Sequence, residues 1–390
     1  MPLPRILWIP HAPWERCLAQ RPRILVERLL ERFDIHVITW TARRLDEKRS
    51  ARFYLNPMNH LRALRQSASI ESAPAVHHLP VPLPMLQAVW KGYPPDWLMI
   101  PSQVLFQRSI RRIHKRWKLD AAVIAASHHF TGYPPKLAGV PVLFDYLDLH
   151  PQHVEAKYVA MADRIVTVSQ TLGDQLRARY GRQSTWIPNG LDPARMQSAD
   201  ADRARRKWGL ENRRVVSLIG LTCSARLYFI DALATIRDEF PDVIFVAAGE
   251  GAIANAIKRR CEALNVPHRM TGWIDPAEVP DLFAASNVGM YPGDDHPYFD
   301  GACPLKVLEY LGARVPVLAN QCAELRRFGF DALTLRPATV DGFADGLRTI
   351  LREPARRFPD MQSFDWDGLA ARFGDEIDAV LRLTRATAAR

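Results

Sequence analysis

The sequence predicts an α/β protein built as two doubly wound parallel-sheet halves. Three observations carry that prediction. Short apolar runs alternate with amphipathic stretches along most of the chain. The alternation stops between Pro193 and Asn212, in a segment rich in Ala, Asp and Arg, and restarts at Arg214. The charge changes across the same break. Residues 1–200 hold 27 basic and 16 acidic side chains, a net of +11, whereas residues 201–390 hold 25 and 26, a net of −1. A length of 390 residues fits two or three domains at about 150 residues each.

The elements follow in order. Arg5–Pro10 is an apolar run that reads as a buried strand. From Pro22 to Phe33 the residues Ile24, Leu25, Leu29 and Phe33 recur at helical spacing. Ile35–Trp40 is a second strand, which completes the strand–helix–strand unit of a parallel sheet. Ala121–Ala126, Val140–Asp145 and Arg164–Val168 read as further strands, and Thr171–Tyr180 as a helix. In the second half, Arg214–Gly220, Val243–Ala248, His268–Gly272, Val288–Tyr291 and Val315–Ala319 are strands. Helices at Tyr228–Phe240, Ile253–Leu264, Val279–Ala285 and Leu305–Gly312 interleave with them. No solenoid-period repeat interrupts this order.

Composition excludes several classes. Hydrophobic residues at 48% and charged residues at 24% describe a globular chain, not a disordered one. The five cysteines are odd in number and none is spaced CxxC, so a disulfide framework or zinc module is not expected and a reducing cytoplasm is. The N-terminus has no charged start followed by a long apolar run. The longest uncharged stretch, Ser72–Trp90, holds Pro74, Pro80, Pro82 and Pro84, which excludes a spanning helix there. The expectation is a soluble cytoplasmic protein, at most peripheral on the inner face of the plasma membrane.

Ligands of open α/β sheets bind beyond the carboxyl ends of the strands. Gly220 sits at such an end, and Arg226 follows near the next helix start, where a cation and a helix N-terminus suit a phosphate. A plain surface arginine fits the spacing as well, because no GxGxxG accompanies it. Ala302-Cys-Pro-Leu-Lys306 precedes Glu309 on the next helix. Lys306 lies in the first turn, where the helix dipole disfavours a cation. Two readings stay open: an ion pair between residues three apart, or a lysine on a diphosphate with a carboxylate on two ribose hydroxyls.

Taken together, the motifs resemble one family. Ile187-Pro-Asn-Gly-Leu-Asp192, Gly220 with Arg226, Ala248-Gly-Glu250, Met270-Thr-Gly-Trp273 and Pro304-Leu-Lys-Val-Leu-Glu-Tyr310 stand in the order seen in GT-B glycosyltransferases of the family-4-like group. In the first half, Pro13-Trp14, Gln20-Arg-Pro22, Phe144-Asp-Tyr-Leu-Asp148 and Ala162-Asp-Arg-Ile-Val-Thr-Val-Ser169 resemble its SPLKxxEY subgroup. The resemblance implies two Rossmann-like domains facing a central cleft, at 1–195 for the acceptor and 196–365 for the donor. A helix at 366–390 would cross back to the first. It implies a UDP- or GDP-linked nucleotide sugar as co-substrate, with no other cofactor and no bound metal. Carried over, Glu309 holds the ribose, Arg226 and Lys306 neutralise the leaving diphosphate, and the backbone around Gly220, Trp273 and Leu305 lines the donor. Retention of anomeric configuration is implied, with the donor phosphate assisting the acceptor.

The sequence departs from the family at two places. The second glutamate eight residues before Glu309 is replaced by Gly301, with Asp300 adjacent. The lysine usual after the arginine is replaced by the run Leu227-Tyr-Phe-Ile230. In the first domain, His128 (with His129), Asp145 and Asp148 are the candidates to orient or deprotonate an acceptor hydroxyl. A strand-end turn accounts for the histidines and a loop cap for Asp145 as well, while Asp148 aligns with the last aspartate of the family motif and is favoured. Asp294-Asp295 is adjacent rather than spaced as a DxD metal motif. Arg108, Arg111, Arg112, Lys115, Arg116 and Lys118 crowd a helix over Ser102–Lys118, beside Trp90, Tyr93 and Trp97. That pattern fits either a solvated helix face or an anionic membrane dock serving a glycan or lipid-linked acceptor of envelope or exopolysaccharide synthesis. A degenerate GT-B binding protein and a basic nucleic-acid-binding protein are the alternatives. The latter has no recognisable nucleic-acid motif, so no nucleic-acid partner is expected.

Overall fold

The computed structural model describes residues 2–11, 14, 17, 20–40, 69–70, 73–79, 96–125, 139–353 and 356–388. The chain forms two compact units, residues 1–187 with 367–390 and residues 188–366.

The first unit holds the strands β1 (Arg5–Ile9), β2 (Asp34–Trp40), β3 (Ser69–Ile70), β4 (Ala75–Leu79), β5 (Ala121–Ala125), β6 (Val142–Tyr146), β7 (Arg164–Thr167) and β8 (Thr185–Trp186). They pair in the order β3-β4-β2-β1-β5-β6-β7-β8. All pairs are parallel except the short β3–β4 pair. Every residue of β5 and β6 is buried, as expected of central strands covered on both faces. Among the described residues, four helices precede the second unit: α1 (Arg21–Leu29), α2 (Asp96–Trp117), α3 (Gln152–Met161) and α4 (Gln170–Tyr180). Helix α4 is closed at both ends. Ser169 accepts from the Leu172 amide, and Gly181 takes the left-handed conformation after the last turn.

The second unit contains α5 (Pro193–Gln197), α6 (Ala201–Trp208), β9 (Arg214–Ile219), α7 (Tyr228–Ile236), β10 (Val243–Ala248), α8 (Ala252–Ala263), β11 (His268–Gly272) and α9 (Val279–Ala284). It continues through β12 (Val288–Tyr291), α10 (Pro297–Asp300), α11 (Leu305–Gly312), β13 (Val317–Asn320), α12 (Ala323–Phe328), β14 (Leu333–Arg336) and α13 (Val340–Arg352). Its six parallel strands run β11-β10-β9-β12-β13-β14. This is the doubly wound order, and it reverses between β9 and β12. Both sheets therefore have the α/β architecture read from the sequence.

The break between the units falls at Ile187–Pro188, ahead of the 195/196 limit. Residues from Pro188 onward are held within the second unit. The Asn189 amide donates to the Cys303 carbonyl at 2.7 Å, and Leu191 exchanges backbone bonds with Phe364 and Trp366. The segment that interrupts the apolar pattern contains α5 and α6, capped by Asp192 and Asp200. They bury little apolar surface, which is why the sequence reads as a gap there.

Helix α14 (Trp366–Ala388) closes the chain, and from Asp367 on it belongs to the first unit. Phe373 is fully buried, with its ring 5.5 Å from Trp8 of β1. Arg28 pairs with Asp367 at 2.6 Å, and Arg32 with Asp375 at 2.7 Å and with Asp378. No helix among the described residues is long and apolar enough to cross a membrane.

Helix α2 settles where its own apolar side goes. Phe106, Ile110 and Ile113 are buried, while Arg108, Arg111, Arg112, Lys115 and Arg116 are exposed. Among the described side chains, Phe106, Ile110 and Ile113 are spent on the domain's own core and the outward face is mainly cationic, with Val104 exposed beside it. Trp90 and Tyr93 lie outside the described residues, as does the side chain of Trp97.

The first sheet also buries an imidazole pair. His36 and His77 stack with centroids 5.3 Å apart, and His36 Nδ1 lies 3.0 Å from His77 Nε2. Burial holds His36 below its ordinary pKa, with Asp34 nearby opposing the shift. The unfolded chain then takes up its proton first as pH falls. Stability is complete above an unfolded pKa of about 6.5 and declines as pH drops toward the folded value. The urea midpoint is expected to fall between about pH 7.5 and 5, and His36→Gln to flatten that fall. Equal slopes for the two proteins would place the acid sensitivity elsewhere.

Candidate functional site

The reversal in strand order puts the carboxyl ends of β9 and β12 side by side, and their loops carry the candidate cations. Gly220 ends β9 with φ +82°, and a Cβ there would meet Lys306 Cε at 3.0 Å. Glycine at this point lets the Lys306 stem cross the strand end. Lys306 Nζ lies 2.7 Å from Glu309 Oε2, within the first turns of α11, and the Glu309 side chain is mostly shielded.

A fully buried tyrosine fixes α11. The Tyr310 hydroxyl bonds Ser217 Oγ at 2.9 Å, the Ser217 carbonyl at 2.9 Å and the Ile219 amide at 3.2 Å. Its ring fills the space a Cβ on Gly289 would take, at 2.4 Å. The adjacent Glu309 thereby stays at the strand edge.

The loop after β9 is built around Ser224, which is fully buried. Its amide donates to the Pro292 carbonyl at 2.7 Å, and its hydroxyl donates to Asp294 Oδ1 at 2.6 Å. Arg226 reaches the same oxygen through Nε at 2.9 Å and Nη2 at 2.8 Å. Burial alone would raise the Asp294 carboxyl. The Ser224 hydroxyl and the Arg226 guanidinium outweigh it and hold Asp294 below the usual carboxylate range. Asn320, also fully buried, accepts from the Gly293 amide at 2.9 Å, and Tyr228 donates to the Gly293 carbonyl at 2.8 Å.

Trp273 follows β11 with 64% of its surface exposed. Its amide donates to Glu250 Oε1 at 3.2 Å, and the Gly249 amide donates to the Gly272 carbonyl at 2.9 Å. Leu305 opens α11, with Pro304 at the cap position. Gly220, Arg226, Lys306, Glu309, Leu305 and Trp273 thus all stand at carboxyl ends of this one sheet. Asp300 does not join them, because its carboxylate caps α12 through the Ala323 amide at 3.1 Å. Ser224 and Asn320 organise the site with no signal in the sequence, and Asp294 stands out there only as half of an adjacent acidic pair, since each is recognised through a distant partner.

In the first unit, Asp145 at the end of β6 is 1% exposed, and both its oxygens are taken by Arg21 at 3.1–3.2 Å. This burial and pairing speak against a base: the carboxylate is ion-paired with Arg21 and shut from solvent. The neighbouring Tyr146 hydroxyl donates to buried Glu155, which also receives Arg179 at 3.3 Å. Burial and that carboxylate push the Tyr146 phenol well above its ordinary pKa. Asp148 lies half-buried in the loop beyond β6. His128 and His129 lie outside the described residues.

Known proteins share the fold and the family sequence pattern. Residues 20–195 match the family model described as Glycosyltransferase Family 4, and residues 215–353 match the one described as Glycosyl transferases group 1. Sucrose-phosphate synthase from Thermosynechococcus elongatus superposes with a TM-score of 0.66 at 16% identity, covering 97% of this chain and 100% of that one. The α,α-trehalose 6-phosphate synthase of Burkholderia multivorans gives 0.67 at 11% identity over 100% of both chains. Anabaena HepE, solved with UDP and glucose, gives 0.58 at 15% identity over 99% of each. At such identities the likeness is one of fold. No curated protein matches by sequence.

Proposed function

Because this chain is a glycosyltransferase of the family-4-like GT-B group, we propose that it moves a sugar from a UDP- or GDP-linked donor to a glycan or lipid-linked acceptor of the cell envelope or an exopolysaccharide. The carrying observation is the set at one sheet edge: Arg226, Lys306 and Glu309 around the β9/β12 switch point. Neighbouring structures solved with UDP and UDP-glucose support the donor class.

Departure of a nucleoside diphosphate builds negative charge, and preorganised cations lower that barrier. Lys306, Arg226 and the N-terminus of α11 supply them, and in this reading no bound metal is required. Lys306 exchanges Glu309 for a phosphate oxygen, and Glu309 then accepts the ribose hydroxyls. On the acceptor side, Asp148 is the carboxylate that orients the incoming hydroxyl, and His128 is the second candidate for that role. The transfer retains anomeric configuration.

A thermal-shift screen of nucleotides and nucleotide sugars tests the reading. One nucleoside diphosphate and its sugars should raise the melting temperature, and the same sugars should be slowly hydrolysed. No shift with any of them, alongside salt-dependent DNA binding, would sink it. Proton NMR of the new glycosidic linkage reads the anomer directly.

The cationic face of α2 supports the acceptor class through electrostatics alone. Co-sedimentation with vesicles rich in anionic lipid is expected at low salt and lost near 1 M salt, where the Debye length shrinks to about 3 Å. Combined Arg108→Ser, Arg111→Ser and Arg112→Ser should abolish it. Binding that survives high salt would mean insertion of apolar groups instead.

A further inference from the structure

We propose that Asp294 is a positioning residue whose carboxylate holds Arg226 ready at the β9/β12 switch point and competes with the donor diphosphate for it. The proposal rests on the donor-site reading above and adds a counter-ion that sets how firmly the product is held.

The geometry separates a fixed partner from a movable one. One oxygen, Asp294 Oδ1, receives the Ser224 hydroxyl at 2.6 Å and Arg226 at 2.9 and 2.8 Å. The backbone beneath that carboxylate is held from three sides, by Asn320 on the Gly293 amide, Tyr228 on the Gly293 carbonyl and Ser224 on the Pro292 carbonyl. Arg226 is different. Its side chain is 58% exposed, and the Tyr228 ring lies 5.6 Å from its guanidinium carbon. When a phosphate enters, Arg226 can turn while Asp294 stays where Ser224 holds it.

The sequence leaves Arg226 no helper on its own loop. From Gly220 to Ile230 it is the only Lys or Arg. Its charge is cancelled by Asp294 before the donor arrives, just as that of Lys306 is cancelled by Glu309. A diphosphate must therefore displace a carboxylate at each cation. The displaced Asp294 remains close by and draws Arg226 back when the sugar has left. The pair raises the dissociation constant of the spent nucleotide and shortens its stay. Product release limits turnover in many transferring enzymes, so this exchange acts on kcat as well as on affinity.

Asp294→Asn tests this, because it keeps the shape and a hydrogen-bonding oxygen but removes the charge. The inhibition constant of the free nucleoside diphosphate, UDP or GDP, is expected to fall about three- to tenfold. The donor KM should fall with it, and kcat should drop as release slows. Asp294→Glu should restore values near wild type. Asp294→Ser, a smaller neutral replacement, reads the same constant if the asparagine variant does not fold. An unchanged inhibition constant with only a lower melting temperature would make Asp294 a structural residue and overturn the proposal. Wild-type protein that binds neither UDP nor GDP would overturn the donor site itself, and the two failures are thus distinct.

Discussion

Replacing Arg21 by methionine is expected to destabilise the protein by about 3–5 kcal/mol, because it strands a buried carboxylate. Arg21 is 4% exposed and Asp145 1% exposed, and three hydrogen bonds join them across 124 positions of sequence. The arginine opens α1, where the helix dipole disfavours a cation. Its placement makes sense only through its partner. The guanidinium also lies over Phe373 at 5.5 Å, so the pair is sealed beneath α14. Urea denaturation should show the loss at unchanged slope. Asp145→Leu combined with Arg21→Met removes both charges, and it should recover most of the stability. Activity then discriminates the two roles of Asp145. A stable double variant that still transfers sugar shows a structural ion pair. A stable double variant that is inactive shows that the carboxylate does chemistry, contrary to its burial.

That pair also shows where sequence reading stops. The central strands were legible because β1, β5, β6, β9 and β10 are apolar runs whose residues are nearly all buried. The pair Lys306 and Glu309 was legible because both lie within one helical turn. The family motif favours Asp148 over Asp145, but nothing local in the sequence distinguishes a carboxylate met by Arg21 from one facing solvent. Asp294 was weighed only as half of an adjacent acidic pair, since Ser224 and Arg226 approach it from about 70 residues away. Helix α2 stays ambiguous in the sequence for a different reason. An amphipathic helix with a cationic face looks the same whether its apolar side meets lipid or its own domain, and here Ile110 and Ile113 pack inward. Strands β3, β4 and β8 and helix α3 were missed because they are short or mixed in polarity. The strands are held by their neighbours in the sheet, and α3 by burial of Val154, Tyr158 and Val159, not by their own periodicity.

The second large effect separates the two members of the α11 pair. Lys306→Ala is expected to lower kcat by about 10²–10³-fold with little change in donor KM, because its charge meets charge that develops as the diphosphate leaves. Glu309→Ala is expected to raise donor KM by about 10- to 100-fold with a smaller change in kcat. Its hydroxyl contacts form equally in ground and transition states, and hydrogen bonds to a carboxylate contribute about 1.5–3 kcal/mol. The two residues touch at 2.7 Å, so their effects should not add. Removing Glu309 releases Lys306 from a competitor, which offsets part of the lost ribose binding. The double variant should then lose more than the product of the two single losses, because each single variant already spares the donor the breaking of the pair. If both single variants lose only melting temperature, the pair is an ordinary ion pair within a helix, and the donor must be held elsewhere. If the kinetic split runs the other way, with Glu309 governing kcat, the carboxylate acts on the reacting sugar rather than on the ribose. Steady-state rates at varied donor concentration, with the acceptor saturating or replaced by water, decide among these outcomes.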